Sequence, residues 1–300
     1  MPAISVLVLA LTLLAAAPAA AQNGRMPPLS AEAALLLDPR GEVLFAKNAA
    51  GDHAPASLVK LMTIYLACEG IEAKRLGWDD PVVVSARAAQ TPRFRMGLKA
   101  GETVPFRTLL EAVAIVSAND AATAVAEHVA GSEEEFVALM NAKAEALGLR
   151  GTRFANAHGL PDPAQRSTAQ DLARLTDLLI QGHPASRALL GGASFVHRGR
   201  VHTRNIPLFN DPGGVQALKT GYTREAGYNL AVTASRDGER FLLIVLGSQT
   251  RNASFRDARL LLHYGFNELG LEAPVESKRP LPGRKAPPHR PVRAKVRSPR

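Results

Sequence analysis

The chain has 300 residues, 46% of them hydrophobic, enough for a sizeable core in one domain or a domain with lobes. Its net charge of +9 does not describe the body: residues 277–300 carry nine Lys/Arg and no Asp or Glu, so the remainder is close to neutral. The single cysteine, Cys68, excludes an internal disulfide and a cysteine-built metal cluster, and reads as a small core residue.

The chain opens apolar from Ile4 to Leu14 and continues as Ala17-Pro18-Ala19-Ala20-Ala21. Ala19 and Ala21 satisfy the small-residue rule for signal-peptidase cleavage before Gln22, although no Lys or Arg precedes the apolar stretch. That stretch is short for a membrane span. We therefore expect an exported protein, periplasmic or associated with the cell envelope. Residues 1–21 are then a signal peptide, 22–29 a linker, 30–267 the folded domain and 268–300 a basic, Pro-rich tail whose composition predicts disorder. The tail suits weak contact with an anionic envelope surface, or simple solubilisation; nucleic acid fits an exported protein poorly.

Within the domain, Ala33 to Leu37 reads as a strand, Asp38-Pro39-Arg40-Gly41 as a turn and Val43 to Ala46 as the returning strand. An apolar run from Ala56 through Leu66 reads as a buried helix. The chain from Trp78 to Arg107 is loop-rich, with an extended piece at Val82-Val83-Val84. Leu109, Leu110, Val113 and Val116 have helical spacing. Ser117-Ala118-Asn119-Asp120 interrupts that helix, and Ala121 to Val129 resumes it. Ser132 with Glu135, and Thr168 with Asp171, are capping signals for two further helices. Asn156 to Pro161 is a loop, in which His158 reads as a turn-stabilising residue rather than a catalytic one. Ala217 to Thr223 precedes two strand-like runs, Tyr228 to Ala234 and Phe241 to Gly247, joined by a turn at Arg236-Asp237-Gly238-Glu239. Ser254 to Tyr264 closes the domain as a helix, with Leu260, Leu261 and Tyr264 facing the core. Strands at both ends and helices between them predict an α+β fold with one antiparallel sheet and a helical lobe.

Ser57 and Lys60 stand three residues apart, on one face of a helix. A serine hydroxyl needs a base to become a nucleophile, and lysine serves only when burial or neighbouring cations lower its pKa. About one such pair arises by composition alone in a chain of this length, so a capping serine beside a solvated lysine stands as the plain alternative. Lys219-Thr220-Gly221 is rarer. A lysine and hydroxyl on a strand edge suit a carboxylate, and glycine allows close backbone approach, although an edge strand with a solvated lysine is again the plain reading.

Ser57-x-x-Lys60, Ser117-x-Asn119 and Lys219-Thr220-Gly221, in this order and spacing, resemble the penicillin-recognising serine enzymes. More narrowly, the chain resembles the low-molecular-weight D-alanyl-D-alanine carboxypeptidases of peptidase family S11. The likeness extends to Lys60-Leu61-Met62-Thr63, Ser117-Ala118-Asn119-Asp120-Ala121, Asn156 with His158-Gly159-Leu160, Tyr222-Thr223 with Ala226-Gly227-Tyr228, and Leu261-Leu262-His263-Tyr264-Gly265-Phe266. It covers roughly residues 30–267 and implies the penicillin-binding/β-lactamase-like fold.

By that resemblance Ser57 is the acylated nucleophile and Lys60 its base. Ser117 relays a proton and Asn119 holds a substrate amide. Lys219, Thr220 and Thr223 bind the terminal carboxylate, Gly221 lets the substrate approach, and the backbone N–H groups of Ser57 and Tyr222 form the oxyanion hole. Arg204 matches a family arginine near the substrate. The implied partners are peptidoglycan stem peptides ending in D-Ala-D-Ala and β-lactams as covalent inhibitors, with neither metal nor organic cofactor. The chain departs from the family at Val59, where Thr is common, at Gln216-Ala217, and in an arginine of the last helix displaced to Arg251 or Arg256. A DD-endopeptidase shares all these motifs. A β-lactamase is disfavoured by the lack of a loop glutamate placed to activate water, and a silent peptidoglycan-binding module by the complete motif set.

Overall fold

The computed structural model describes residues 28–92, 94–210 and 213–271, so the expected signal peptide and nearly all of the expected linker and tail lie outside the described residues. Strands β1 (Ala33–Leu37) and β2 (Val43–Lys47) form the predicted hairpin. Its turn is fastened by the Asp38 carboxylate, which accepts from the amides of Arg40 and Glu42 at 2.8 Å each. A 3-10 turn over Ala56–Val59 then leads into α1 (Lys60–Glu72), whose residues from Lys60 to Cys68 are all buried. A helix apolar all round belongs in a core, and α1 is the central helix of the molecule.

The segment expected to be loop-rich contains more structure. Strand β3 (Pro81–Val83) pairs with β4 (Thr103–Pro105), and α2 (Ala86–Gln90), capped by Ser85, lies between them. Next come α3 (Phe106–Glu111), which runs on into a π-helical turn over Ala112–Val116, and α4 (Asn119–Ala130). The two capping signals hold. The Ser132 hydroxyl accepts from the Glu135 amide at the start of α5 (Glu133–Ala146), and Thr168 from Asp171 at the start of α6 (Ala169–Gly182). Helix α7 (Pro184–Gly191) and the hairpin of β5 (Ser194–His197) and β6 (Arg200–Thr203) were not expected.

The C-terminal strands β7 (Val215–Thr223), β8 (Gly227–Arg236) and β9 (Glu239–Ser248) join the N-terminal hairpin in one antiparallel sheet of order β2-β1-β9-β8-β7. The β8–β9 turn places Asp237 and Gly238 at φ 53° and 84°, the left-handed pair that a tight hairpin requires. Gln216 sits where the β7–β8 register slips, so the departure from the family pattern coincides with a bulge at the start of the motif strand.

Side-chain alternation divides the core between the two faces of this sheet. Ala33, Leu35, Leu242, Ile244 and Leu246 pack toward α1 and the helical lobe. Ala34, Leu36, Phe241, Leu243 and Val245 pack on the opposite face against α8 (Arg251–Glu268). Helix α8 uses Phe255, Ala258, Leu261, Leu262 and Phe266 for this, while Leu260 and Tyr264 are only partly buried. Leu29, Leu269 and Leu271 also pack against this core, so the folded body overruns the expected domain boundaries at both ends. The fold is the expected α+β one, an antiparallel sheet with a helical lobe. Strand β7 is the sheet edge facing that lobe.

Candidate active site

Ser57 lies in the 3-10 turn, directly after Ala56, whose φ of 48° is left-handed for a residue with a side chain. The Lys60 Nζ is 3.1 Å from Ser57 Oγ and 2.7 Å from Asn119 Oδ1, and it also donates to the His158 carbonyl. Lys60 is 0% exposed, and burial lowers its pKa to about 7 against the opposing charge of Asp120. The cage suits the neutral amine. Asn119 Oδ1 and the His158 carbonyl can only accept, so they take its two N–H groups and leave its lone pair for the Ser57 hydroxyl.

Neither Ser117 nor Asn119 caps α4. The capping position is Ala118, with no side-chain bond, and Ser117 closes the π-helical turn at φ 58°. That conformation turns its hydroxyl toward β7, where Lys219 Nζ donates to Ser117 Oγ at 2.7 Å and to the Thr220 carbonyl at 3.0 Å. Lys219 is buried, and its pKa lies well below the ordinary lysine value through burial first, then the charges of Lys60 and Arg204. Asn119 accepts at Oδ1 from Lys60 and donates from Nδ2 to the Pro92 carbonyl at 3.0 Å, contacts that hold the lysine in place.

Ser57, Ser117, Thr220, Gly221 and Tyr222 line one cleft of about 470 Å³. A Cβ at Gly221 would stand 3.1 Å from the Ser57 amide nitrogen, so glycine is what lets β7 press against the nucleophile turn. Thr223 does not line the cleft; its hydroxyl accepts from the Ala226 amide at 3.0 Å in the β7–β8 turn. A second cavity of about 210 Å³ is lined by Ser117, Arg204, Lys219, Thr220 and Arg251. Arg204 donates to the carbonyls of Leu190 at 2.6 Å, Leu218 at 3.1 Å and Ala114 at 3.3 Å, and burial lowers its pKa to about 10. It thus clamps α7, β7 and the π-helical turn together behind Lys219. Of the two displaced arginines, Arg251 lines both cavities and Arg256 instead faces Asp257 at 3.4 Å.

Several contributors had no role assigned to them from the sequence. The His158 ring does stabilise its turn, accepting from the Leu160 amide at 3.2 Å, but its carbonyl is part of the Lys60 cage. Buried Asp120 accepts from the amides of Met96 at 3.0 Å, Gly97 at 2.9 Å and Leu98 at 3.0 Å, which ties the loop above the cleft to α4. Asn229 donates to the Ala54 carbonyl at 2.9 Å and accepts from the Gly247 amide at 2.9 Å, joining the nucleophile turn to the sheet.

Comparison with known proteins gives a consistent result. The family model for D-alanyl-D-alanine carboxypeptidase, peptidase S11, matches residues 19–250. The chain is 38% identical over 266 residues to D-alanyl-D-alanine carboxypeptidase DacC of Escherichia coli K12, covering 86% of this chain and 66% of that protein. D-alanyl-D-alanine carboxypeptidases DacD of Salmonella typhimurium and DacA of E. coli K12 are matched over 63% and 62% of their length, so the chain spans less than two thirds of these relatives. Among solved structures, penicillin-binding protein 6B of E. coli superposes with a TM-score of 0.75 at 35% identity, covering 80% of this chain and 78% of that one. Penicillin-binding protein D2 of Listeria monocytogenes, in an ampicillin-bound form, gives 0.70 at 33% identity over 80% of this chain and 98% of that one.

Proposed function

Because the chain belongs to the S11 family of D-alanyl-D-alanine carboxypeptidases, we propose that it is a serine D-Ala-D-Ala carboxypeptidase acting on peptidoglycan stem peptides. The observation that carries this reading is the buried Lys60 amine beside Ser57 Oγ, with its other contacts filled by acceptors. In this reading Ser57 Oγ attacks the penultimate D-Ala carbonyl as its proton passes to Lys60 Nζ. The oxyanion develops toward the backbone N–H groups of Ser57 and Tyr222, and each such donor contributes about 10²–10³ in rate. The C–N bond then breaks, and the leaving amine takes a proton through Ser117, which Lys219 holds at 2.7 Å. Water hydrolyses the acyl-Ser57 ester and regenerates the hydroxyl. The cationic cavity of Lys219, Arg204 and Arg251, with the Thr220 hydroxyl, receives the terminal carboxylate. Asn119 is a positioning residue for Lys60, and Thr223 supports the β7–β8 turn.

A β-lactam enters the same path, its strained amide replacing the scissile bond. The protein is exported and works in the periplasm or at the cell envelope, where the basic tail makes weak contact with anionic polymer or lipid. Intact-mass spectrometry with benzylpenicillin, followed by peptide mapping, tests the nucleophile, and release of D-Ala from monomeric pentapeptide tests the reaction. A long-lived adduct on Ser57 together with D-Ala release is the expected result. A cleaved cross-linked dimer with intact pentapeptide would transfer the assignment to an endopeptidase, and rapid clearance of the adduct with drug turnover to a β-lactamase.

A further inference from the structure

The cleft carries aromatic rings on two walls. Tyr222 and Tyr228 pack at 4.3 Å between centroids, tilted by 31°, on the sheet side, and Phe94 stands on a separate loop that also lines the cleft. Phe94 is 62% exposed although it lines a cleft, so most of its surface is open to a ligand. Its backbone, by contrast, is tightly held. The Phe94 carbonyl accepts from the Asn119 amide at 2.6 Å, and the Pro92 carbonyl accepts from Asn119 Nδ2 at 3.0 Å. Beyond Phe94, the Asp120 carboxylate holds three successive amides, and the side chains of Met96 and Leu98 are buried. A ring exposed on so constrained a backbone is presented to a ligand at little entropic cost.

The geometry also tells which part of a ligand it meets. Phe94 lines the cleft with Ser57 but not the adjoining cavity of Lys219, Arg204 and Arg251, where the carboxylate end of the substrate belongs. Resting on the carboxypeptidase reading above, we propose that Phe94 is a specificity-determining residue. It contacts the aliphatic portion of the residue preceding D-Ala-D-Ala, or the acylamino substituent that takes its place in a β-lactam, across from Tyr222.

The test compares benzylpenicillin, which has a phenylacetyl substituent, with 6-aminopenicillanic acid, which has none. Acylation rate constants are measured for the unaltered protein, Phe94→Ala and Phe94→Leu. Loss of one aromatic contact should lower the benzylpenicillin constant of Phe94→Ala by about tenfold more than that for 6-aminopenicillanic acid. Phe94→Leu should recover most of the preference. An equal fall for both compounds, or no fall for either, overturns the proposal while leaving the serine-acylation reading intact. Absence of any adduct on the unaltered protein overturns both. Melting temperatures within a few degrees of one another show that the variants are folded, as an exposed ring requires.

Discussion

Lys60 is held at 0% exposure, and the consequences are measurable in both rate and stability. With a pKa lowered to about 7, its neutral fraction falls about tenfold per pH unit below that value and saturates above it. The acylation constant with benzylpenicillin should therefore climb from pH 5 to near pH 7 and level off, and a flat profile across this range would remove Lys60 from the role of base. Stability follows the same proton. The folded pKa lies below the ordinary 10.5, so between the two values the unfolded chain holds a proton the folded one lacks, and stability rises with pH across that window. Below it both states are charged and the folded state bears the full cost of the buried ammonium. Lys60→Met, similar in length but without charge, should thus be more stable than the unaltered protein at pH 7 by a few kcal/mol, with the gap closing toward pH 10 in urea titrations. A gap that widens with pH would contradict this assignment. Lys219 has a depressed pKa for the same first reason, burial, and the charges of Lys60 and Arg204 lower it further.

At the scale of single elements, the nucleophile turn is wedged between two glycines. A Cβ at Gly159, whose φ is 84°, would come within 2.1 Å of the Ala56 carbonyl oxygen and 2.8 Å of the Ser57 nitrogen, both backbone atoms that cannot swing aside. Gly159→Ala should displace Ser57 and cost roughly 10²-fold or more in acylation, the scale set by a misplacement of about 1 Å. Gly199→Ala controls for the backbone term, since Gly199 has φ 71° and open space around it. Only the Gly159 variant should lose acylation; if both or neither do, crowding against Ser57 is not the cause. These elements also show why parts of the site were legible in the sequence and others were not. Ser57-x-x-Lys60 and Lys219-Thr220-Gly221 are contiguous runs whose chemistry is visible as written. The π-helical turn before Ser117 is not, because Leu109, Leu110, Val113 and Val116 fit an α-helical stripe and a π turn differs by only one residue. Asp120 reads as part of the break between two helices, and only folding of the 96–98 loop onto it reveals its use. Thr223 carries its hydroxyl in a contiguous motif, and only the β7–β8 turn reveals that it also accepts from the Ala226 amide.

For the molecule as a whole, β9 bridges the two chain ends by pairing with β1 on one side and β8 on the other. The site then forms at the seam where the β7 edge meets the helical lobe, with Ser57, Ser117 and Thr220 on one cleft from three distant chain segments. That order of strands and helices was readable from periodicity, whereas β5, β6 and α7 are too short to carry a clear period and owe their form to packing. Charge is divided just as unevenly. The net +9 is matched by the nine Lys/Arg of residues 277–300, so the catalytic body has almost no net charge with which to seek an anionic surface. Any such attraction should therefore reside in the tail, at about 1 kcal/mol per basic residue close to a charged membrane, and weaken as salt shortens the Debye length. A form beginning at Gln22 should co-sediment with phosphatidylglycerol vesicles at low salt and be released by about 0.5 M NaCl, where the Debye length is only a few ångströms. A version ending at Leu271 should stay in the supernatant throughout and acylate with benzylpenicillin at the same rate, since every described residue that lines the cleft lies before that point. Equal sedimentation of the two forms would move the attraction onto the folded body, and loss of acylation in the shorter form would make the tail part of the catalytic unit.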